Sequence, residues 1–251
     1  MDRRFIDQVA IITGGADGLG KAIAGRIAGE GGTVAIFDIN ENTMEKTRQE
    51  LSAHGHPVSC HAVDVSSESS VAAGFQTVME SYGRVDIMVN SAGIVGPSGI
   101  NVTEVAVADF ERVLKVNTVG SFLMAKHALL NMQPNNYGRI LLVASIAGKE
   151  GNAGMSAYST SKAAVTGLVK AAGKEFAETG ITINGLAPAV VKTALLDDIP
   201  PDQIKYMTDK IPMNRLCRLG EVAALGAWIV SKEASFNTAF VFDLTGGRAT
   251  Y

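Results

Sequence analysis

Short apolar runs and longer amphipathic stretches alternate along almost the whole of this 251-residue chain. The apolar runs are nearly unbroken and rich in β-branched residues, which is typical of parallel strands buried on both faces. The stretches between them have the spacing of amphipathic helices. This alternation predicts an α/β fold, a doubly wound parallel sheet with helices on both faces and right-handed crossovers.

The predicted strands are Val9–Thr13, Thr33–Phe37, Val58–Val63, Ile87–Asn90, Ile140–Val143, Ile181–Leu186 and Phe240–Asp243. The predicted helices are Leu19–Gly29, Asn42–Ala53, Ser67–Tyr82, Val107–Lys115, Ser121–Met132, Ser156–Thr179 and Glu221–Ser231. No linker or internal repeat interrupts the alternation, so a single domain over residues 1–251 is expected. The irregular stretch Lys192–Arg218 is expected to form a lid over a substrate.

Composition excludes several classes of partner. The net charge is −3 and the pI about 5.8, so there is no basic surface to attract nucleic acid or an acidic membrane. No apolar run approaches the length of a membrane span. Cys60 and Cys217 are expected to be buried thiols of a reducing compartment, which predicts a soluble cytoplasmic protein. No metal is expected, because His54, His56 and His61 have no further ligands at metal-binding spacing except Cys60.

A glycine-rich turn, TGGADGLG over residues 13–20, lies between the first predicted strand and the first predicted helix. Glycines there allow a tight turn and let backbone N–H groups approach a pyrophosphate at the helix N-terminus. The spacing differs from the G-x-G-x-x-G fingerprint of other dehydrogenases, but the preceding strand and following helix are the context that such a site requires. The predicted cofactor-binding residues in this turn are Gly14, Asp17, Gly18, Leu19 and Gly20.

Asp38 follows the second predicted strand, where a carboxylate can accept hydrogen bonds from both hydroxyls of an adenosine ribose. Its charge would repel a 2′-phosphate, and Ile39 and Asn40 supply no cation that could bind one. NAD is therefore predicted over NADP, with Asp38 and Ile39 beside the ribose. The alternative is that Asp38 only caps the next turn.

Polar and small residues also follow the third and fourth predicted strands. Asp64 and Val65 follow the third, where a carboxylate could accept a hydrogen bond from the adenine amino group. Asn90, Ala92 and Gly93 follow the fourth, where small residues let the backbone pass close to the cofactor. All five positions fall at carboxyl ends of strands, the crevice in which open α/β sheets bind ligands.

Tyr158 and Lys162 are four residues apart in a predicted helix, so their side chains project from one face. A neighbouring ammonium favours the phenolate, so we expect it to lower the pKa of Tyr158 from about 10 toward neutrality. The hydroxyl of Ser145 could hold a substrate oxygen beside the tyrosine. Together the three residues predict reversible proton transfer at an alcohol or ketone. The Tyr–Lys spacing alone is also that of an ordinary helix face.

These residues, in this order, resemble the short-chain dehydrogenase/reductase family over essentially the whole chain. The resemblance implies a Rossmann fold and particular catalytic roles. Tyr158 would be the general acid/base, and Ser145 would orient and polarise the reacting oxygen. Lys162 would bind the nicotinamide ribose and lower the pKa of Tyr158.

The resemblance also implies roles outside that trio. Asn117 would kink its helix and hold a water molecule that carries the proton onward. Pro188, Val191 and Thr193 belong to a segment that would meet the nicotinamide carboxamide. Three positions depart from the residues usual in the family without removing a catalytic group: Asp17, Ser91 and Ala189.

The leading hypothesis is an NAD-dependent oxidoreductase that passes hydride between the nicotinamide and a secondary alcohol or ketone. A rival is a dinucleotide-sensing regulator that kept the fold and lost the chemistry; the intact catalytic set favours the enzyme. The chain is similar both to dehydrogenases of sugars and deoxy sugar acids and to 3-oxoacyl-acyl-carrier-protein reductases. Because NAD suits oxidative catabolism, a sugar acid or deoxy sugar acid is the predicted substrate, with the acyl reductase as the alternative.

The substrate is expected between the lid and the segment that joins Ser145 to Tyr158. Besides those two residues, Glu150 and Asn152 are predicted to form hydrogen bonds with substrate hydroxyls. The candidates to neutralise a substrate carboxylate are Lys149, Lys192, Arg215 and Arg218. The alternative is that these polar side chains face solvent and the pocket is apolar, as for an acyl chain.

Two predicted helices, Ser121–Met132 and Ser156–Thr179, carry small or apolar residues on more than one face, such as Ala125 and Leu168. A helix that is apolar on several sides needs burial beyond its own sheet. The family resemblance implies that these helices pair across a dimer axis, with a second interface near the C-terminus. A homotetramer is therefore predicted.

Overall fold

The main feature of the computed structural model, which describes residues 3–193, 201–249 and 251, is a parallel sheet. The strands are β1 (Val9–Thr13), β2 (Thr33–Asp38), β3 (Val58–Ala62), β4 (Ile87–Asn90), β5 (Gly138–Val143), β6 (Ile181–Pro188), β7 (Val191–Lys192), β8 (Cys217–Arg218) and β9 (Val241–Leu244). The large sheet has the order β3-β2-β1-β4-β5-β6-β9, and each neighbouring pair is parallel. Strands β7 and β8 form a separate pair.

Helices connect the strands. They are α1 (Gly18–Gly29), α2 (Glu41–Ala53), α3 (Glu68–Tyr82), α4 (Val107–Leu114), α5 (Gly120–Met132), α6 (Ala147–Glu150), α7 (Ser156–Glu175), α8 (Pro201–Asp209) and α9 (Leu219–Ile229). Several begin at a side-chain cap: Ser67, for example, accepts a hydrogen bond from the backbone N–H of Ser70 at the start of α3.

The sheet is buried on both faces, because side chains alternate between them along each strand. In β1, Ile11 packs into one core with α3, α5 and α7, whereas Ile12 packs into the other with α1 and α9. Both cores exclude solvent: Phe75 of α3 and Ile23 of α1 are each at most 1% exposed. The predicted doubly wound parallel sheet with helices on both faces is confirmed.

The strand order reverses beside β1, since β2 and β3 lie on one side of it and β4, β5 and β6 on the other. Connections leave the carboxyl ends of β1 and β4 in opposite directions, and a crevice opens between them. The fold thereby brings together residues that are far apart in sequence, such as Thr13 and Asn90, which are register partners in the sheet.

The prediction of two separate helices over Val107–Lys115 and Ser121–Met132 is wrong. Helices α4 and α5 are continuous through a π-helical segment, Lys115–Val119. The β-branched residues of this segment have modest helix propensity. The Asn117 side chain forms buried hydrogen bonds with the Ile94 backbone and with Ser161, and these contacts stabilise the helical segment.

The predicted lid region is more regular than expected. Its described parts contain α8 and the β7–β8 pair, although the sequence indicated an irregular stretch; residues 194–200 lie outside the described residues. Pro201 opens α8, a position that tolerates proline because the first N–H groups of a helix have no intrahelical partner. The short helix α6 was also missed. The predicted ends of β1 and β4 match those observed, and several other predicted ends differ by one to four residues.

No helix in the described part of the chain combines the length and the apolar character needed to cross a membrane. Across residues 3–193, 201–249 and 251, no three His, Cys, Asp or Glu side chains come close enough together to hold a metal ion. Of the three clustered histidines, His61 shares a hydrogen bond with Ser59, with 2.9 Å between Nε2 and Oγ.

Candidate active site

A cavity of about 530 Å³ opens at the carboxyl ends of β1, β4, β5 and β6, where the strand order reverses. The predicted site residues that line it are Gly14, Asp17, Gly18, Leu19, Ala92, Gly93, Ser145, Tyr158, Lys162, Pro188, Val191 and Thr193. The other lining residues were not predicted to belong to the site: Ser91, Ile94, Val95, Val143, Ala144 and Ala189. Each of these lies within two positions of a predicted residue, which is the signal that could have found them.

The glycine loop forms one wall of the cavity by close backbone packing. Gly14 has a φ of +59°, and a Cβ added there would lie 2.9 Å from the backbone nitrogen of Ala92. A Cβ at Gly20 would collide with the carbonyl oxygen of Gly14. Because Gly18 and Leu19 of the first turn of α1 line the cavity, the positive end of this helix faces it, as an anion-binding site requires.

Asp38 is attached to the glycine loop. Its Oδ2 accepts a hydrogen bond from the backbone N–H of Ala16 at 3.3 Å, and its Oδ1 accepts one from the N–H of Asn40 at 3.1 Å. The second contact is the turn-capping role considered as an alternative, but α2 itself is capped by Asn40. Ile39 is 75% exposed beside it.

The end of β4 is fixed to β1 by a buried hydrogen-bond network. The Thr13 hydroxyl donates to Asn90 Oδ1 at 2.6 Å and accepts from the backbone N–H groups of Ser91 and Ala92, both at 3.1 Å. The Asn90 amide donates to Ser121 Oγ at 2.9 Å. Asn90 is 2% exposed and does not itself line the cavity. It is linked through Thr13 to Ala92, which does.

Asn117 lies in the π-helical segment and is fully buried. Its side chain binds the Ile94 backbone on both sides, accepting from N–H and donating to C=O at 2.8 Å each, and donates to Ser161 Oγ at 2.9 Å. Both amide protons are therefore used. The side chain joins the loop after β4 to the helix that carries Tyr158 and Lys162; its role in holding a water molecule stays a prediction.

Ser145, Tyr158 and Lys162 meet at the cavity. Ser145 follows β5, and the other two lie on the first turns of α7. The Lys162 amine is 5.8 Å from the centre of the Tyr158 ring and donates to the carbonyl oxygen of Val143 at 2.7 Å. Its other two N–H groups have no acceptor among the described residues. Lys162 is buried at the cavity, so few water molecules can reach its amine. The amine can therefore donate two further hydrogen bonds to a ligand.

The expectation that Lys162 lowers the pKa of Tyr158 is wrong for the chain alone. Burial raises the pKa of Tyr158, and a hydrogen bond with the Ser145 hydroxyl opposes that rise. Burial also lowers the pKa of Lys162 to about 8. Desolvation, which cannot be read from the spacing of the two residues, disfavours the charged form of both groups.

Several predicted residues lie away from this cavity lining. They are Gly20, Asp38, Ile39, Asp64, Val65, Asn90, Asn117, Glu150 and Asn152. Asp64 is exposed, and its Oδ1 accepts two hydrogen bonds from Ser66. Asp64 and Val65 therefore remain predictions for the adenine end of a cofactor.

Four of the six polar side chains predicted for the substrate already have partners. Arg248 donates to Glu150 Oε2 at 2.8 Å and to Asn152 Oδ1 at 3.0 Å. Lys149 pairs with Asp243 at 2.7 Å. Arg215 donates through both Nη groups to Glu221. Arg248 was not among the predicted site residues, because its contacts depend on how β9 docks beside β6 rather than on any local motif.

Comparison with known proteins agrees with this geometry. A family model described as short chain dehydrogenase matches residues 8–204. The 2-dehydro-3-deoxy-L-rhamnonate dehydrogenase (NAD(+)) of Sphingomonas sp. (strain SKA58) is 45% identical over 248 residues, covering 99% of this chain and 98% of the relative. The 3-oxoacyl-(acyl-carrier-protein) reductase of Aquifex aeolicus (strain VF5) is 31% identical, covering 98% of this chain and 99% of the relative.

A solved structure described as NAD+-bound xylitol dehydrogenase has a TM-score of 0.92 and 28% identity, covering 97% of this chain and all of that chain. The same family is indicated by the matching family model and by the near-complete coverage of both relatives. The placement of Ser145, Tyr158 and Lys162 in one cavity agrees with it. The chain belongs to the short-chain dehydrogenase family of oxidoreductases.

Proposed function

We propose that this protein is an NAD-dependent dehydrogenase that oxidises a secondary hydroxyl of a small sugar acid, with a deoxy sugar acid as the preferred substrate. One observation carries the proposal: Ser145, Tyr158 and Lys162 converge in a cavity whose opposite wall is the glycine loop. A hydroxyl pair beside a buried amine, next to an anion-binding helix N-terminus, is the arrangement expected for hydride transfer to a bound dinucleotide.

The residues present fit NAD. The glycine loop and the start of α1 would hold the pyrophosphate, and Asp38 would accept the hydroxyls of the adenosine ribose. The two N–H groups of Lys162 that find no acceptor within the described part of the chain suit the hydroxyls of the nicotinamide ribose. Pro188, Val191 and Thr193 would lie at the carboxamide. When bound, NAD supplies the carbon atom that accepts the hydride.

The proposed proton chemistry belongs to the side chains. The Tyr158 oxygen would accept the proton of the substrate hydroxyl as the carbonyl forms. Ser145, whose hydroxyl opposes the rise in the pKa of Tyr158, would hold the same substrate oxygen. Burial raises the pKa of Tyr158, so cationic charge at the site would be needed to favour the phenolate; protonated Lys162 is one source of it.

The substrate class is supported by the Sphingomonas relative, whose name gives a dehydro-deoxy sugar acid and NAD(+). The Aquifex relative supports the alternative, a 3-oxoacyl thioester. Contacts from Glu150 and Asn152 to substrate hydroxyls remain part of the proposal, as does a lid that includes the described residues 192–193 and 201–218. A site built to form hydrogen bonds with hydroxyls would strongly disfavour an aliphatic ligand.

A dehydrogenase assay tests the proposal. Wild-type protein would be assayed with NAD and NADP against deoxy sugar acids, polyols and 3-hydroxyacyl thioesters. The highest kcat/KM is expected with NAD and a deoxy sugar acid. A long-chain acyl thioester or a steroid as best substrate would reject the sugar-acid assignment but keep the oxidoreductase.

The Tyr158→Phe variant separates the enzyme from a non-catalytic regulator. It removes the hydroxyl that exchanges the proton and keeps the ring, so turnover is expected to vanish while NAD affinity, measured by calorimetry, stays nearly unchanged. More than a few per cent of wild-type kcat in this variant would reject the proposed chemistry. NAD binding by the wild type without turnover of any compound would favour the regulator.

The proposal includes a homotetramer in the cytoplasm. Support for assembly comes from a cavity of about 320 Å³ between α5 and α7 that is lined mainly by apolar side chains. Phe122 and Leu130 of α5 lie there and are 49% and 55% exposed. The cytoplasmic location rests on composition alone.

A further inference from the structure

Arg248 connects the chain that follows β9 to the segment between Ser145 and Tyr158. Its side chain is 9% exposed. Nε donates to Glu150 Oε2 at 2.8 Å, and Nη2 donates to Asn152 Oδ1 at 3.0 Å. Arg248 is not among the residues that line the cavity. One buried guanidinium thus fixes two points on the segment that carries the candidate catalytic hydroxyls at its ends.

Both fixed points lead to a candidate catalytic residue. Glu150 ends α6, whose first residue, Ala147, donates its backbone N–H to Ser145 Oγ at 3.2 Å. The backbone N–H of Asn152 donates to Ser159 Oγ at 3.1 Å, one residue beyond Tyr158. Movement of Glu150 would therefore reach Ser145 through Ala147, and movement of Asn152 would reach Tyr158 through its neighbour Ser159.

A second ion pair strengthens the attachment. Lys149 donates to Asp243 Oδ2 of β9 at 2.7 Å, with side chains 13% and 25% exposed. Lys149 and Glu150 are thus paired with opposite charges from β9 and the residues after it. Charge-assisted bonds of this kind, partly removed from water, fix geometry better than exposed pairs do.

We propose that Arg248 is a positioning residue for the reaction, which holds Ser145 and Tyr158 in register through Glu150 and Asn152 without touching cofactor or substrate. The proposal rests on the proposed function, in which those two hydroxyls share a substrate oxygen. Small displacements of reacting groups have large effects on rate, so loss of this support lowers kcat rather than cofactor affinity.

The test compares Arg248→Ala and Arg248→Lys with the wild type and with Arg112→Ala. The control removes an exposed arginine that pairs with Asp109 on α4. Arg248→Ala is expected to lower kcat by at least about tenfold while the NAD dissociation constant changes less than about twofold. Arg248→Lys keeps one ion pair, to Glu150, and is expected to lie between Arg248→Ala and the wild type. Arg112→Ala is expected to keep the wild-type kcat.

The pH titration of Tyr158 can be measured without turnover, so this part of the test does not depend on knowing the substrate. The Ser145 hydroxyl opposes the rise in the pKa of Tyr158. Displacement of Ser145 from Tyr158 would therefore move the titration of Tyr158 to higher pH. Tyrosinate absorbance, taken as the difference between each protein and its Tyr158→Phe counterpart, is expected to show that shift in Arg248→Ala. The rising limb of kcat for alcohol oxidation would move the same way.

Three results would overturn the proposal. The first is an unchanged Tyr158 titration in Arg248→Ala. The second is a rise in KM alone, which would make Arg248 a substrate-binding residue. The third is a parallel loss of kcat, NAD affinity and thermal stability in both Arg248 variants, which would make the contact merely structural. Absence of turnover in the wild type rejects the proposed function, whereas the Tyr158 titration still decides the role of Arg248.

Discussion

Burial of the Lys162 amine lowers the stability of the fold, and the proposed role of this amine in binding the nicotinamide ribose explains why it is nevertheless buried. Only 5% of the residue is exposed, and burial lowers its pKa from 10.5 to about 8. Holding it charged at neutral pH costs on the order of 3 kcal/mol. Between pH 8 and 10.5 the unfolded chain binds more protons at this position than the folded one, so stability rises with pH in that window. The penalty is complete below pH 8.

We expect Lys162→Met to abolish turnover and to raise the free energy of unfolding at pH 7 by about 1–3 kcal/mol. The gain should shrink at pH 9.5, where the wild-type amine is largely neutral in the folded state. Urea denaturation at matched protein concentrations measures both values. The matched control is Lys170→Met, at an exposed position of the same helix, which should change the free energy of unfolding by less than about 0.5 kcal/mol. A gain that is absent at pH 7, or larger at pH 9.5, would contradict this account.

The carboxylate of Asp38 gives a second prediction at this scale. Asp38→Ala combined with Ile39→Arg should move the ratio of kcat/KM for NAD over NADP toward NADP by at least about tenfold, because repulsion of a 2′-phosphate is replaced by attraction. Ile39 is 75% exposed, so an arginine there fits without disturbing the core. Asp109→Ala, an exposed change on α4, should leave the ratio unchanged. Wild-type protein that uses NADP as well as NAD would refute the assignment.

At the scale of elements, the strands and most helices of the large sheet were predictable, because apolar runs and amphipathic periods are local properties. Periodicity did not predict the join between α4 and α5, because the buried contacts of Asn117 with Ile94 and Ser161 arise only in the folded chain. Only the family resemblance indicated a kinked helix at Asn117. The pKa of Tyr158 and the contacts of Arg248 could not be predicted for the same reason: both depend on tertiary packing. Sequence spacing places Lys162 beside Tyr158 but carries no information on how deeply either is buried.

The π-helical segment yields an element-scale prediction. Asn117→Ala would leave the Ile94 N–H and C=O and the Ser161 hydroxyl without their partner in a buried site. We expect the free energy of unfolding to fall by about 2–4 kcal/mol. Asn42→Ala, at an exposed position of α2, should change it by less than about 0.5 kcal/mol. Chemical denaturation followed by circular dichroism gives both values, and similar effects of the two changes would contradict the structural role.

At the scale of the whole molecule, the exposed apolar side chains of α5 predict assembly. Phe122 and Leu130 flank the groove between α5 and α7, and a second copy that packs there would remove them from water. Sedimentation at micromolar concentration should give a homotetramer. Leu130→Arg should convert it to a smaller species, since a charge would be buried without a partner.

The matched control for assembly is Val102→Asp, which places a charge at another exposed apolar position, 68% accessible and outside the groove. It should sediment like the wild type. A wild-type monomer, or a Leu130→Arg protein of unchanged size, would contradict assembly through this groove.

The strand order has a consequence for how the chain reaches its native state. Thr13 and Asn90 are joined across the crevice although 77 positions separate them in the sequence. During synthesis, β1 can pair with β2 long before β4 has left the ribosome, and one edge of β1 stays open meanwhile. Non-local parallel pairing of this kind folds slowly and exposes the nascent chain to aggregation, so chaperones would act most usefully before residue 90 emerges.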